Sequence, residues 1–152
     1  MGELFGSIYC LLEDFYGMEL AEYLWGQASP LQVSNMYIGI GLTMLLVSLA
    51  AVVMYYYVVD HPRLSNWWGW LIFLATNAVI NFIIGWQWVL KDKYEGLMVK
   101  KDTITGSMVD LPISYSDICA FGVANMIYSI IVFIIVSCII KWKSTNCSGA
   151  PF

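Results

Sequence analysis

Residues Asn66 to Leu90, NWWGWLIFLATNAVINFIIGWQWVL, run for 25 positions without a charged side chain. At about 1.5 Å per helical residue the run reaches roughly 37 Å, longer than the hydrocarbon core of a bilayer at about 30 Å. It reads as a membrane-spanning helix. Trp67, Trp68 and Trp70 at one end, and Trp86 and Trp88 at the other, stand where amphipathic indoles settle at the two headgroup levels. At 100° per residue, Trp70, Leu74, Asn77, Asn81, Gly85 and Trp88 fall within one arc, whereas Val79, Phe82 and Ile83 lie outside it. One face is polar and notched, and the other suits lipid.

Two further stretches have the same character. Met36 to Val59 has small residues on two sides: Gly41, Leu45, Ser48 and Val52 share one face, with Gly39, Thr43 and Ala50 nearly opposite. Ile118 to Ile140 gathers Gly122, Asn125, Ser129, Val132 and Val136 on one face. Small residues let helix backbones approach closely where dispersion drives association in lipid. The whole chain is 60% hydrophobic and 12% charged, against roughly 45–50% apolar and about 25% charged in soluble domains. The expectation is therefore a single membrane domain over 1–152, an all-α membrane protein. It has three transmembrane helices (36–59, 66–90 and 118–140), an N-terminal amphipathic helix, and a small hairpin in the loop between the second and third spans.

The segments between the spans are short. In 1–28, Leu4, Ile8, Leu11, Leu12 and Phe15 recur at helical spacing, interrupted at Gly17, among Glu3, Glu13, Asp14, Glu19 and Glu22. This is too acidic to span and fits an amphipathic helix at the interface, docked on a partner, or folded against the chain's own spans. Ser29 and Pro30 end it, and Ser34 or Asn35 can cap the next helix. Asp60, His61, Pro62 and Arg63 make a polar turn, in which His61 reads as solvated rather than as a pH sensor or ligand. In the polar loop 91–117, Leu97 to Val99 and Met108 to Leu111 are β-prone around a turn at Gly106. Pro112 closes the loop, and Ser116 or Asp117 can cap the last helix. The start has neither the basic region of a secretory signal nor the full myristoylation pattern.

Tyr55 to Tyr57, Trp67, Trp68 and Trp142 are expected at one interface, and Tyr37, Trp86, Trp88 and Tyr115 at the other. Three passes put the termini on opposite sides. With no basic residue before the first span and Arg63 just after it, the N-terminus is expected outside and the C-terminus in the cytoplasm.

The inventory excludes more chemistry than it suggests. No Asp, Glu, Lys, Arg or His lies within the three spans, which speaks against proton relays, ion-coupled carriers and voltage sensors. No nucleophile sits beside a candidate base in a catalytic pattern, so no enzyme is expected. Cys10, Cys119, Cys138 and Cys147 are scattered, with only His61 to join them, so neither a metal site nor a cofactor is indicated. Cys119 and Cys138 read as packing residues, and spacing alone assigns no disulfide. The net charge of −4 argues against nucleic acid. What remains is the amide pair Asn77 and Asn81, one turn apart, with Asn125 and Ser129 repeating that spacing. These four, with Gly85, Gly41 and Ser48, are the candidate helix-packing or pore-lining residues. As packing residues they point to a non-enzymatic subunit of a larger membrane assembly, whose partners are the lipid bilayer and other membrane subunits. As pore-lining residues they point to a homo-oligomeric pore built from copies of the chain, holin-like or ion-conducting, around Asn77 and Asn81.

Overall fold

A helix in lipid gains nothing by hiding leucine or isoleucine, because acyl chains are as apolar as they are. The inward face is chosen by small, polar and close-packing residues instead. The last span displays that sorting. Ile127, Ile131, Ile135 and Ile139 form an exposed stripe, while Asn125, Ser129, Phe133 and Ser137, at the same four-residue spacing, are wholly buried.

A computed structural model describes residues 2–58, 66–102 and 107–142. In chain order it contains α1 (Gly2–Cys10), α2 (Glu13–Tyr16), α3 (Met18–Trp25), α4 (Met36–Val53), α5 (Trp67–Tyr94), β1 (Val99–Lys101), β2 (Met108–Asp110) and α6 (Tyr115–Lys141). The spans Met36–Tyr57, Trp67–Tyr94 and Tyr115–Lys141 are long and apolar enough to cross a membrane. The chain is an all-α, multi-pass membrane protein with a small two-stranded ribbon. The Asp60–Arg63 turn with His61, the hairpin tip with Gly106, and Cys147 lie outside the described residues. Two compact units are formed, Met1–Leu42 with Phe82–Ala124, and Thr43–Asn81 with Asn125–Phe152.

In the first unit the N-terminal segment is three short helices rather than one. Gly17, at φ 93°, makes the expected interruption, and a further break falls at Leu11 and Leu12. α3 ends at Gly26, whose left-handed backbone sends its N–H to the Tyr23 carbonyl, before Ser29 and Pro30 are reached. The segment packs on the chain's own spans through a row of tyrosines. Tyr9 stacks on Tyr37 of α4 with ring centroids 5.2 Å apart. Tyr16 and Tyr37 share a 3.0 Å hydrogen bond, and Tyr16 Oη donates to the Tyr9 carbonyl at 3.0 Å. The Tyr23 hydroxyl donates to the Asp92 carboxylate of α5 at 2.8 Å. The anticipated apolar row points the other way: Leu4, Leu11 and Phe15 are 63%, 79% and 54% exposed.

Asn35 caps α4 by accepting the Tyr37 N–H at 3.0 Å. The cap of α6 is Ser114, not Ser116 or Asp117. Ser114 Oγ accepts the Ser116 N–H at 3.0 Å and Asp117 Oδ2 accepts the Ser114 N–H at 2.9 Å, a reciprocal capping box. Strands β1 and β2 pair antiparallel, with Lys100 opposite Val109. α5 runs one turn past the expected end at Leu90, where Lys93 donates to the Ile113 carbonyl and lies 4.2 Å over the Tyr115 ring.

In the second unit Val52, Tyr55, Tyr56, Trp70 and Phe133 make a core, and α4 closes in a π-helical turn over Met54–Val58. Tyr37, Tyr55 and Tyr56 are therefore core residues rather than interfacial ones. Among the described residues the exposed aromatics are Tyr57, Trp67, Trp68 and Trp142 in this unit, and Phe15, Trp88, Tyr94 and Tyr115 in the other. Stacking and hydroxyl contacts inside outweigh the headgroup preference wherever a ring can reach a partner.

Candidate functional site

Asn77, Asn81, Asn125 and Ser129 come together as a hydrogen-bonded circuit that runs from α6 through α5 and back to α6. Asn125 Nδ2 donates to the Asn81 carbonyl at 2.7 Å. Asn81 Nδ2 donates both to the Asn77 carbonyl and to Asn77 Oδ1, each at 3.0 Å. Asn77 Nδ2 returns to α6 by donating to the Ser129 carbonyl at 3.3 Å. Ser129 Oγ donates to the Met126 carbonyl of its own helix at 2.8 Å. All four side chains are fully buried. The four-residue spacing on each helix makes this geometry: two antiparallel helices with amides one turn apart present two rungs at matching heights.

Of the remaining candidates, Gly41 serves close approach and Gly85 and Ser48 are buried. A Cβ on Gly41 would stand 2.4 Å from the Phe5 ring, so α1 rests on α4 where that side chain is missing. Gly85 is buried in α5. Ser48 is fully buried in α4 beside Val52. Leu45, expected on the same face, is 37% exposed, and Met44 is turned in instead. Of the opposite group, Gly39 faces the Trp88 ring, whereas Ala50 is exposed. Phe82, expected towards lipid, packs over Gly122 and stacks on Trp86 at 6.0 Å. The notch that receives it belongs to α6 and is invisible on the helical wheel of α5. Val132 and Val136 are half-buried.

Three contacts were not anticipated. Trp70 Nε1 donates to Ser137 Oγ at 3.3 Å; Ser137 continues the stripe of Asn125 and Ser129 by two more turns, so the periodicity carries that signal. The bond from Tyr23 to Asp92 joins residues 69 positions apart, and only the seven-residue recurrence of Tyr9, Tyr16 and Tyr23 hints at an inward row. Burial, and then the Asp92 carboxylate, push the Tyr23 phenol well above its usual range. Trp25 Nε1 donates to Cys10 Sγ at 3.1 Å; burial pushes the Cys10 thiol up, and that bond partly offsets the rise. Cys119 and Cys138 are free and exposed rather than packed.

Chemically, the circuit positions helices. Carboxamides neither take up nor release protons near neutral pH, and no serine or cysteine is seen beside a base in it. Among the described residues no group of three His, Cys, Asp or Glu side chains is placed to hold a metal. A cleft of 480 Å³ between α3 and the ribbon mixes Glu19, Asp102 and Asp110 with Lys100 and Lys101. No protein-family model matches the chain, and neither curated proteins nor solved structures give a significant match.

Proposed function

We propose that this protein is a non-enzymatic integral membrane subunit of a larger membrane assembly, supplying contact surface to neighbouring subunits. The observation that supports this reading is the destination of the polar side chains. The span amides donate their hydrogen bonds within one protomer, and no Asp, Glu, Lys, Arg or His lies within 36–59, 66–90 or 118–140. What stays uncovered faces outward: Leu4, Leu11, Phe15 and Met18 of the N-terminal segment, and the mixed-charge cleft beside Glu19. A neighbouring subunit with an apolar helix flanked by charges of both signs fits that pair of surfaces. In this reading the N-terminus lies outside and the C-terminus in the cytoplasm. The homo-oligomeric pore draws no support from Asn77 and Asn81, which have no exposed surface with which to line a channel.

The test is gentle purification of the C-terminally tagged protein from its native membrane. Foreign proteins in constant ratio are expected. The variant Leu11→Glu with Phe15→Glu should lose them while retaining helix content and membrane insertion. A ladder of identical subunits with no foreign protein would reject the assembly in favour of the pore.

A further inference from the structure

Beside the last turn of α5 the first unit encloses a cavity of 380 Å³, lined by Lys93, Gly96, Met98, Asp110, Leu111 and Ile113. That volume falls within the range of about 300–1,000 Å³ usual for small-molecule sites. Met98, Leu111 and Ile113 are buried and make an apolar wall. Gly96, at φ 69°, turns the chain from α5 towards the ribbon, and a Cβ there would meet nothing within 4 Å. No side chain closes the cavity at that position.

Two opposite charges line this one cavity, and they are not paired with each other. Lys93 Nζ donates to the Ile113 carbonyl and lies over the Tyr115 ring at 4.2 Å. An ammonium has three N–H donors, so these two contacts leave one for a ligand. The Asp110 carboxylate has no ion pair or hydrogen bond among the described residues. The cavity therefore suits a molecule that carries an anion and a cation together. Trp88, Tyr94 and Tyr115, exposed near the ends of α5 and α6, mark the level as that of lipid headgroups.

We infer that this cavity holds the headgroup of phosphatidylethanolamine, with the phosphate on Lys93 and the primary ammonium on Asp110. Both contacts are charge-assisted hydrogen bonds. Choline fits less well: its quaternary ammonium has no N–H to give a carboxylate and is recognised by aromatic faces, and no ring lines the cavity among the described residues. Phosphatidylglycerol would answer Lys93 but bring no cation to Asp110. Asp110 also borders the cleft beside Glu19, whereas Lys93 does not, so a Lys93 variant separates the lipid site from subunit docking.

Native mass spectrometry of the full chain in detergent tests this, with dioleoyl phosphatidylethanolamine, phosphatidylcholine and phosphatidylglycerol titrated separately. The wild-type chain should retain phosphatidylethanolamine about tenfold more tightly than either of the others. Lys93→Gln should weaken that binding by about tenfold, and Asp110→Asn should bring it to the level of phosphatidylcholine. Equal retention of the three lipids, or phosphatidylethanolamine binding unchanged in both variants, would overturn the inference. Soluble glycerophosphoethanolamine bound as tightly as the lipid would assign the cavity to a free zwitterion and overturn it too. Asp110 is exposed, so its variant decides should Lys93→Gln fail to fold.

Discussion

Replacing Asn125 by leucine isolates the shortest rung of the amide circuit. Leucine nearly conserves volume, so the Asn81 carbonyl loses a donor at 2.7 Å with little change in packing. That carbonyl is not orphaned, because as part of α5 it is placed to accept its own helix's i+4 N–H. The cost is then the net value of an interhelical hydrogen bond in lipid, about 0.6 kcal/mol on average and about 1.7 at most. At about 1.4 kcal/mol per tenfold, this is roughly threefold to fifteenfold in the unfolding equilibrium. Asn125→Asp keeps the shape but brings a carboxyl into a site whose neighbour is a carbonyl, and should cost about 2.5–3.5 kcal/mol on insertion scales. Both are measurable by reversible unfolding in mixed micelles with rising dodecyl sulfate, followed by tryptophan fluorescence; Trp70 lies in the core of the same unit. Leucine matching the wild type would show that the rung holds nothing. Aspartate no worse than leucine would show that the site is open to bulk water, and the account of a buried circuit would fail.

Three more perturbations separate the other contacts. Gly41→Ala drives a methyl into the Phe5 ring at 2.4 Å and should cost about 1–3 kcal/mol; Phe5→Ala in the same chain should recover part of it, and simple additivity of the two losses would contradict direct contact. Tyr23→Phe leaves the Asp92 carboxylate without its 2.8 Å donor and should cost about 1.5–3 kcal/mol, much less in an Asp92→Leu background. Because folding raises the Tyr23 phenol above its ordinary range, its contribution is complete below the unfolded value of about 10 and declines as pH climbs past it. Tyr23→Phe should therefore flatten the alkaline limb of a stability–pH curve, and an unchanged limb would contradict this. Ser114→Ala removes one half of the α6 capping box, for about 1 kcal/mol. Hydrogen exchange should quicken at Ser116 and Asp117 and stay unchanged beyond Phe121; uniform quickening along α6 would argue against a local cap.

The spans were legible because length and the absence of charge require no knowledge of partners, and the pairing of Asn77 and Asn81 with Asn125 and Ser129 showed in their equal spacing. What could not be read was which apolar residues turn inward. Leu45 and Met44 are equally content in lipid, so neighbouring helices choose between them, and the wheel of α4 alone favoured the wrong one. The N-terminal segment shows the same limit in another form. Its leucines share one face at helical spacing although the segment is broken into three short helices, but the tyrosines carry both ring area and a hydroxyl, and Tyr37 and Asp92 supply acceptors. The face able to stack and to hydrogen-bond at once is the one that docks. Ser114 is hard to read as the cap because a cap is recognised by the residue three places on, here Asp117, which is itself a strong capping residue.

Hydrophobicity does not distinguish inside from outside in these spans, so the polar side chains determine the arrangement, and their use within the protomer limits what they can do elsewhere. An asparagine that holds α5 to α6 cannot also face a channel without breaking its bond, and breaking one rung deprives a buried carboxamide of its acceptor on the facing helix. A chain meant to line a pore would keep such groups on an outward face and pack itself with glycine and alanine instead. Here the order is reversed. The amides are buried, and the outward face of the N-terminal segment is a row of leucine, phenylalanine and methionine beside acidic residues. That arrangement suits recognition by shape and apolar contact, which is why the Leu11 and Phe15 substitutions bear most directly on the proposed role.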